Sequence, residues 1–421
     1  LYKCANVRTL TIGVRTNAGS HAAFRAPGYV EGTFSLESLI DELCEKLDID
    51  PLDFRKMNHV QVDQSSDLEY SSKYLLESYD LALDLLGMPK DAEMPKRGTL
   101  PSNGPWKRGI GMASQTWGGG GGPPAHAMVR FNSDGTIEVQ AGSQDIGTGT
   151  KTAFAQIAAE EMGVPMDSIR VRVGDTQKVP FGPASWGSIT TPSVGPAVRM
   201  AAADARKQLL EIASFFMELP AANLTIEDGY VSVEGSKEGR KPIKSILDEV
   251  GDYMIIGKGY RGPNPTQQVK TWGVQIAEVE VNVETGQVRL VRIAAVHDVG
   301  RVINPKGLHS QFYGGILQGM GYGLTEERIV DKATGNVLNT GLDDYHIPTI
   351  ADTPEMLVAA VGKADTLANH VGSKGAGEPP IIPTAAAIGN AIYNATGARV
   401  YSLPISSRRM LEALERANPN A

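Results

Sequence analysis

Cysteine is almost absent from these 421 residues: there are two, Cys4 and Cys44, far apart in the chain. That excludes a disulfide framework and a cysteine-ligated iron–sulfur cluster held by this chain alone. Paired histidines are missing too. The seven present include no close pair on a helix face, and no Cys-x-x-Cys occurs, so side chains provide no ready metal cage. No run approaches the roughly 20 apolar residues of a membrane helix. Positive charge is not in excess: 40 Lys and Arg against 48 Asp and Glu give −8, no footprint for nucleic acid or anionic lipid. A reducing, cytoplasmic compartment fits this composition, and so does a folded complex exported whole to the periplasm. Leu1-Tyr2-Lys3-Cys4 carries neither an initiator methionine nor a leader pattern. The expectation is a cleaved chain or a split gene, with an upstream polypeptide as partner.

What the chain has instead is glycine and proline, 47 and 25 residues, many of them clustered. Irregular backbone on this scale implies loops that closely approach something. Ser35 as N-cap, with Leu36, Leu39, Ile40, Leu43 and Leu47 at helical spacing, predicts a helix ending before Asp50-Pro51. A short helical turn follows over 52–58, and a third helix over about 73–86. The Pro-, Lys- and Asp-rich stretch 88–105 reads as a linker. It divides a unit 1–95 from a unit 96–421.

In the second unit, 127–131 and 136–140 flank Ser133-Asp134-Gly135 as a hairpin. A helix with Ala153, Phe154, Ile157, Ala158 and Met162 on one face follows. Then come a strand at 169–173 and a long helix from about 197 to 217. A second strand–turn–strand at 276–283 and 287–295 hints at internal duplication. Asn304-Pro305 opens a helix carrying Gln311 and Gln318, and a small-residue helix runs to about Asn394. The class is α+β, with mixed sheets and packed helices.

Four glycine-punctuated loops each precede a helix: His21 to Gly28, Gln144 to Thr150, Ser185 to Thr191 and Ser373 to Pro380. Backbone N–H groups at helix N-termini, with hydroxyls nearby, make an anion cradle, and several converging would suit a large phosphorylated cofactor. Any one alone is an ordinary turn. None is a nucleotide fingerprint: Gly-Lys-Ser/Thr is absent and Gly147-Thr148-Gly149 lacks a third glycine. Glu378, between Gly377 and Pro379-Pro380, is a carboxylate on a stiff loop, suited to act as a general base. From composition alone a solvated loop glutamate reads equally well.

Lys374-Gly375-Ala376-Gly377-Glu378-Pro379-Pro380 resembles the active-site loop of the xanthine oxidase/aldehyde oxidase family. Phe24-Arg25-Ala26-Pro27-Gly28 is similar to that family's Phe-Arg-Gly-Phe-Gly segment, followed by Asp50-Pro51, Arg55 and Asn58 in the matching pattern. Gln144 to Thr150 resembles a cofactor-contacting loop and Gln311 to Gly321 the glutamine-bearing helix. The order holds over about 1–410.

The resemblance implies two molybdenum-cofactor-binding domains, the first incomplete here. It implies a molybdenum held by the dithiolene of a pterin, with no protein ligand. The cofactor form expected is the cytosine dinucleotide, with [2Fe-2S] and FAD subunits as partner chains in a dimer of hetero-oligomers. Glu378 corresponds to the base of an oxidative hydroxylation that takes its oxygen from water. Arg25, Pro27 and Trp186 correspond to the substrate side. Trp186, Gly187 and Ser188 would face the metal, while Thr148 and Gln311 would touch the pterin; Phe24, Arg25, Gly147 and Gly149 would also bind the cofactor. Ser188, Thr190 and Thr191 would serve the phosphates, and Lys374 and Gly377 complete the cofactor set. Pro27 stands where purine-oxidising relatives carry a stacking aromatic, which favours aldehydes over xanthine. Purine or other N-heterocycle hydroxylation and a non-catalytic binding module remain the alternatives.

Overall fold

Pro27 and Gly28 set the start of the first helix, α1 (Tyr29–Leu47), because Gly28 takes the left-handed backbone (φ 77°) that turns the chain into it. Ser35 is therefore inside the helix and not its cap, and its hydroxyl bonds back to the Glu31 carbonyl. The buried stripe of α1 is Val30, Phe34, Glu37, Ile40, Asp41 and Cys44. Of the residues at helical spacing, Ile40 is buried, whereas Leu36, Leu39, Leu43 and Leu47 are exposed. Glu37 can be buried because Arg55 pairs with it at 2.8 Å, Tyr2 Oη donates at 2.6 Å and the Ser114 amide at 2.9 Å. Arg55 lies on α2 (Pro51–Met57), whose N-cap Asp50 accepts from the Leu52 and Asp53 amides. A two-strand ribbon, β1 (Val62–Asp63) and β2 (Leu68–Glu69), leads to α3 (Leu75–Leu85). The computed structural model describes every residue except 17, 18, 20, 252, 253 and 419–421.

The remaining chain runs through β3 (Trp106–Trp117), β4 (His126–Phe131), β5 (Ile137–Ala141), α4 (Thr150–Met162), β6 (Ile169–Val173) and α5 (Thr190–Met217). A small sheet, β7 (Leu224–Glu227), β8 (Tyr230–Val233) and β9 (Lys241–Pro242), precedes α6 (Ile243–Val250) and β10 (Ile256–Tyr260). Then follow β11 (Thr271–Asn282), β12 (Val288–Asp298), α7 (Pro305–Met320), β13 (Glu355–Ala360), α8 (Thr384–Thr396) and α9 (Ser407–Ala417). Helix α5 begins at Thr190, earlier than expected. Pro192 sits in its first turn, where the missing N–H costs nothing, and Pro196 is accommodated within the helix.

Two four-stranded sheets carry the same plan. In one, the β4–β5 hairpin is antiparallel, α4 carries the chain to β6 parallel beside β5, and β10 lies antiparallel outside β4. In the other, the β11–β12 hairpin is antiparallel, α7 carries the chain to β13 parallel beside β12, and β3 lies antiparallel outside β11. The packing device also repeats. Gly257 and Gly259 on β10 let α5 lie so close that a Cβ would overlap the Ala201 and Ala197 carbonyls. Gly109 and Gly111 on β3 do the same for α8 at Ala391. The duplication hinted at by the two hairpins thus extends to topology and packing.

Strand β11 is buried on both faces. Ala277 and Val279 face Ile388 and Ala391 of α8, while Trp272, Val274 and Ile276 face Tyr79 and Leu83 of α3. The turns that follow β5, β6, β12 and β13 lead into α4, α5, α7 and α8, and these turns meet at one cavity. No helix among the described residues is long and apolar enough to cross a membrane.

Candidate active site

The cavity measures about 760 Å³, and every site residue expected from the sequence lies on its wall. Arg25, Pro27 and Phe24 come from the entry to α1; Gly147, Thr148 and Gly149 from the loop before α4. Trp186, Gly187, Ser188, Thr190 and Thr191 come from the start of α5, Gln311 from α7, and Lys374, Gly377 and Glu378 from the loop before α8.

Glu378 is held from three sides. The Ala26 amide donates to Oε1 at 3.2 Å, and the Ser188 hydroxyl donates to Oε2 at 2.9 Å. The same Ser188 oxygen accepts the Glu378 backbone N–H at 2.8 Å. Ala26 and Ser188 both have left-handed backbones, φ 58° and 60°, which L-residues adopt only when surroundings enforce it. Gly375 is part of that enforcement, since a Cβ there would lie 2.7 Å from Ser188 Cβ.

Arg25 closes the floor. Its Nε donates to Gly377 O at 2.6 Å, Nη2 to Gln311 O at 2.8 Å and Nη1 to Gln318 Oε1 at 2.9 Å. The guanidinium thus ties the Glu378 loop to α7. Burial lowers its pKa to about 10, and Glu378 acts in the opposite sense, so it stays charged at neutral pH. Lys374 contributes to the wall by its backbone. Its ammonium is buried on Asp298 at 2.9 Å and on Ser72 Oγ at 2.9 Å, and so anchors the loop to the end of β12. Behind the floor, His297 is fully buried against Phe312 and Gln115. Its Nε2 has no partner, and burial, with the Arg25 charge, pushes its pKa down to about 3.

The cradle is uneven. The amides of Gly147, Gly149 and Lys151 are turned to the carboxylate of Asp145, which already occupies the N-terminus of α4. That loop offers Thr148 and bare glycine backbone. At α7, Asn304 caps Gly307. The N-terminus of α5, the longest helix, has no side-chain cap and opens on the cavity through Thr190 and Thr191. It is the strongest anion site of the three. Among the described residues no cluster of His, Cys, Asp or Glu can hold a metal ion. A phosphorylated group bringing its own metal fits a cavity with these dimensions, an uncapped helix terminus and glycine walls.

Sequence reasoning missed Asp145, Ala26, Trp117 and Asp298. Asp145, two residues before Gly147, has the spacing of an Asx turn and was legible. Trp117, whose Nε1 donates to Gly187 O at 3.1 Å, and Asp298 act through contacts distant in sequence.

The duplicated mixed sheets thus set glycine loops around one large cavity. Two family models, each described as a molybdopterin cofactor-binding domain, match residues 1–59 and 86–354. The chain is 33% identical over 411 residues to a xanthine dehydrogenase molybdenum-binding subunit of Escherichia coli, covering 94% of this chain and 54% of that one. It is 33% identical over 400 residues to an aldehyde oxidoreductase molybdenum-binding subunit of Escherichia coli, covering 93% and 52%. Its fold is similar to quinoline 2-oxidoreductase from Pseudomonas putida 86, with a TM-score of 0.81, 24% identity and coverage of 94% and 53%. The chain belongs to the molybdopterin cofactor-binding family of the xanthine oxidase/aldehyde oxidase type. It spans about half the length of the curated relatives it matches.

Proposed function

We propose that this chain forms the base-bearing wall of a molybdenum hydroxylase, with Glu378 as general base. The observation that carries this reading is the carboxylate of Glu378, fixed by Ala26 and Ser188 on the cavity wall where the loops converge. Thr190 and Thr191 at the uncapped start of α5 would hold the cofactor phosphates, with Thr148 and Gln311 against the pterin. Bound there, the molybdenum group would supply two-electron redox chemistry and activate an oxygen derived from water. Glu378 takes the proton from the attacking oxygen; Arg25 and Lys374 keep its loop in place. The cytosine dinucleotide form of the cofactor, and [2Fe-2S] and FAD partner chains, belong to the same reading. So does the division into 1–95, the rest of a first cofactor-binding domain, and 96–421, the second.

An upstream half of the subunit is the partner we assign to the exposed apolar surface of the first unit. Leu36, Leu39, Leu43 and Leu47 on α1, and Val7, Leu10, Ile12 and Val14 before it, are all exposed. The relatives' additional length supports this occupant.

For substrate we infer an aldehyde, because Pro27 offers a smaller, non-planar face to the cavity. One observation favours N-heterocycles instead: Phe24 and Trp186, 57% and 71% exposed on the same wall, present flat aromatic faces. Comparing kcat/KM for aromatic aldehydes and xanthine on the intact complex separates the two. The base assignment is tested by Glu378→Gln, expected to lower turnover by at least ~10²–10⁴ while molybdenum content stays near normal. Near-normal turnover with molybdenum retained contradicts it.

A further inference from the structure

Ser188 bonds twice to Glu378, and the chemistry of its partners differs at the two carboxylate oxygens. Oε1 receives the Ala26 amide, which can only donate, so a proton arriving on Oε1 would oppose an N–H already there. Oε2 receives the Ser188 hydroxyl, which has one hydrogen and two lone pairs. One lone pair already takes the Glu378 N–H. The second becomes available when the hydroxyl hydrogen swings away.

We propose that Ser188 is the positioning residue of this site: its hydroxyl donates to the Glu378 carboxylate and turns to accept from the carboxylic acid, directing the proton to Oε2. This rests on the reading of Glu378 as base. The proton leaves the attacking hydroxyl group, whose electron pair stays on its oxygen, and arrives on Oε2 as the Ser188 hydrogen turns into the cavity. Both bonds from Ser188 to Glu378 survive the transfer. A backbone amide in its place would lose its bond.

Ser188 is also pinned where it stands. Its left-handed backbone is backed by Gly375, and Trp117 holds the adjacent Gly187 carbonyl. The charges around Glu378 do not duplicate its role. Arg25 is committed to the Gly377 carbonyl and α7, Lys374 turns its ammonium to Asp298, and Arg301 across the cavity pairs with Glu160. The segment 185–191 itself carries no charged side chain.

The test uses Ser188→Gly and Ser188→Ala in the intact complex. Glycine adopts the left-handed backbone freely and protects folding, whereas alanine keeps the strain; both remove the hydroxyl. The carboxyl stretch of protonated Glu378, identified by its loss in Glu378→Gln, is followed against pH by infrared difference spectroscopy, without turnover. A hydroxyl that serves both forms loses a charge-assisted bond on one side and a neutral bond on the other. Removing it should therefore carry the protonated band about one pH unit higher in both variants. The acid limb of kcat/KM should move equally, with molybdenum retained. No movement in either variant overturns the proposal, as does movement in the alanine variant alone, which reports strain. Movement of two units or more, the mark of a hydroxyl bonded to the anion only, also overturns it. Should Glu378→Gln stay active while the band moves as expected, the base assignment fails and the hydroxyl's role stands.

Discussion

His297 and Lys374 show how single buried groups support the site and what pH does to them. The pKa of His297 is about 3 in the fold and near 6.5 when the chain unfolds. Between those values the unfolded state binds the proton and the folded state does not. Stability is therefore complete above the unfolded value and declines as pH falls, by about 1.4 kcal/mol per unit. Urea unfolding from pH ~6 to ~4, below the unfolded value and above the folded one, should approach this slope for the His297 share, and His297→Gln should remove that share. An unchanged slope in the variant contradicts the assignment. Among the described residues, Lys374 is the one cation paired with two buried carboxylates, Asp298 at 2.9 Å and Asp365 at 3.9 Å. Lys374→Met strands both, and a loss of roughly 3–5 kcal/mol is expected in the same measurement. A loss below ~1 kcal/mol would mean that the surrounding serines suffice.

Among the elements, α1 and the β3–α8 contact make opposite claims. The α1 leucines are exposed in this chain, so Leu39→Glu and Leu43→Glu should change its stability by no more than ~0.5 kcal/mol. Burying a leucine against a partner contributes roughly 1.5–3 kcal/mol, so each substitution should weaken association with the upstream half at least about tenfold. Association measured by titration of the separate halves decides it; unchanged affinity removes α1 from the interface. Gly111 is the reverse case. A side chain there meets the α8 backbone at Ala391, and Gly111→Val should cost ~1–3 kcal/mol or more, visible as a lower urea midpoint.

At the scale of the molecule, the cavity is lined from both sheets' loops, so whatever fills it joins the two halves of the duplication. A ligand at a hundred times its Kd adds about 2.7 kcal/mol to stability. Removing the cofactor from the intact complex should lower the thermal midpoint and expose 144–149 and 181–189 to limited proteolysis before the sheets are cut. Identical midpoints with and without cofactor would place its binding outside this cavity.

The sequence by itself determined what local chemistry decides. The β4–β5 hairpin follows from Ser133-Asp134-Gly135, β6 from its β-branched run, and α7 from Asn304-Pro305. The loop glycines and Glu378 were legible because backbone N–H groups and a stiff carboxylate carry their chemistry in a few adjacent residues. Strand β3 was not: only α8 lying on Gly109 and Gly111 shows why this strand lacks side chains there. Helix α1 was legible from its spacing, but the side of it that the core takes was not. Periodicity cannot tell which stripe the core will take, nor foresee that Arg55, Tyr2 and the Ser114 amide would meet Glu37 inside. Which oxygen of Glu378 meets Ala26 and which meets Ser188 was likewise a tertiary decision, since those bonds join residues 352 and 190 positions apart.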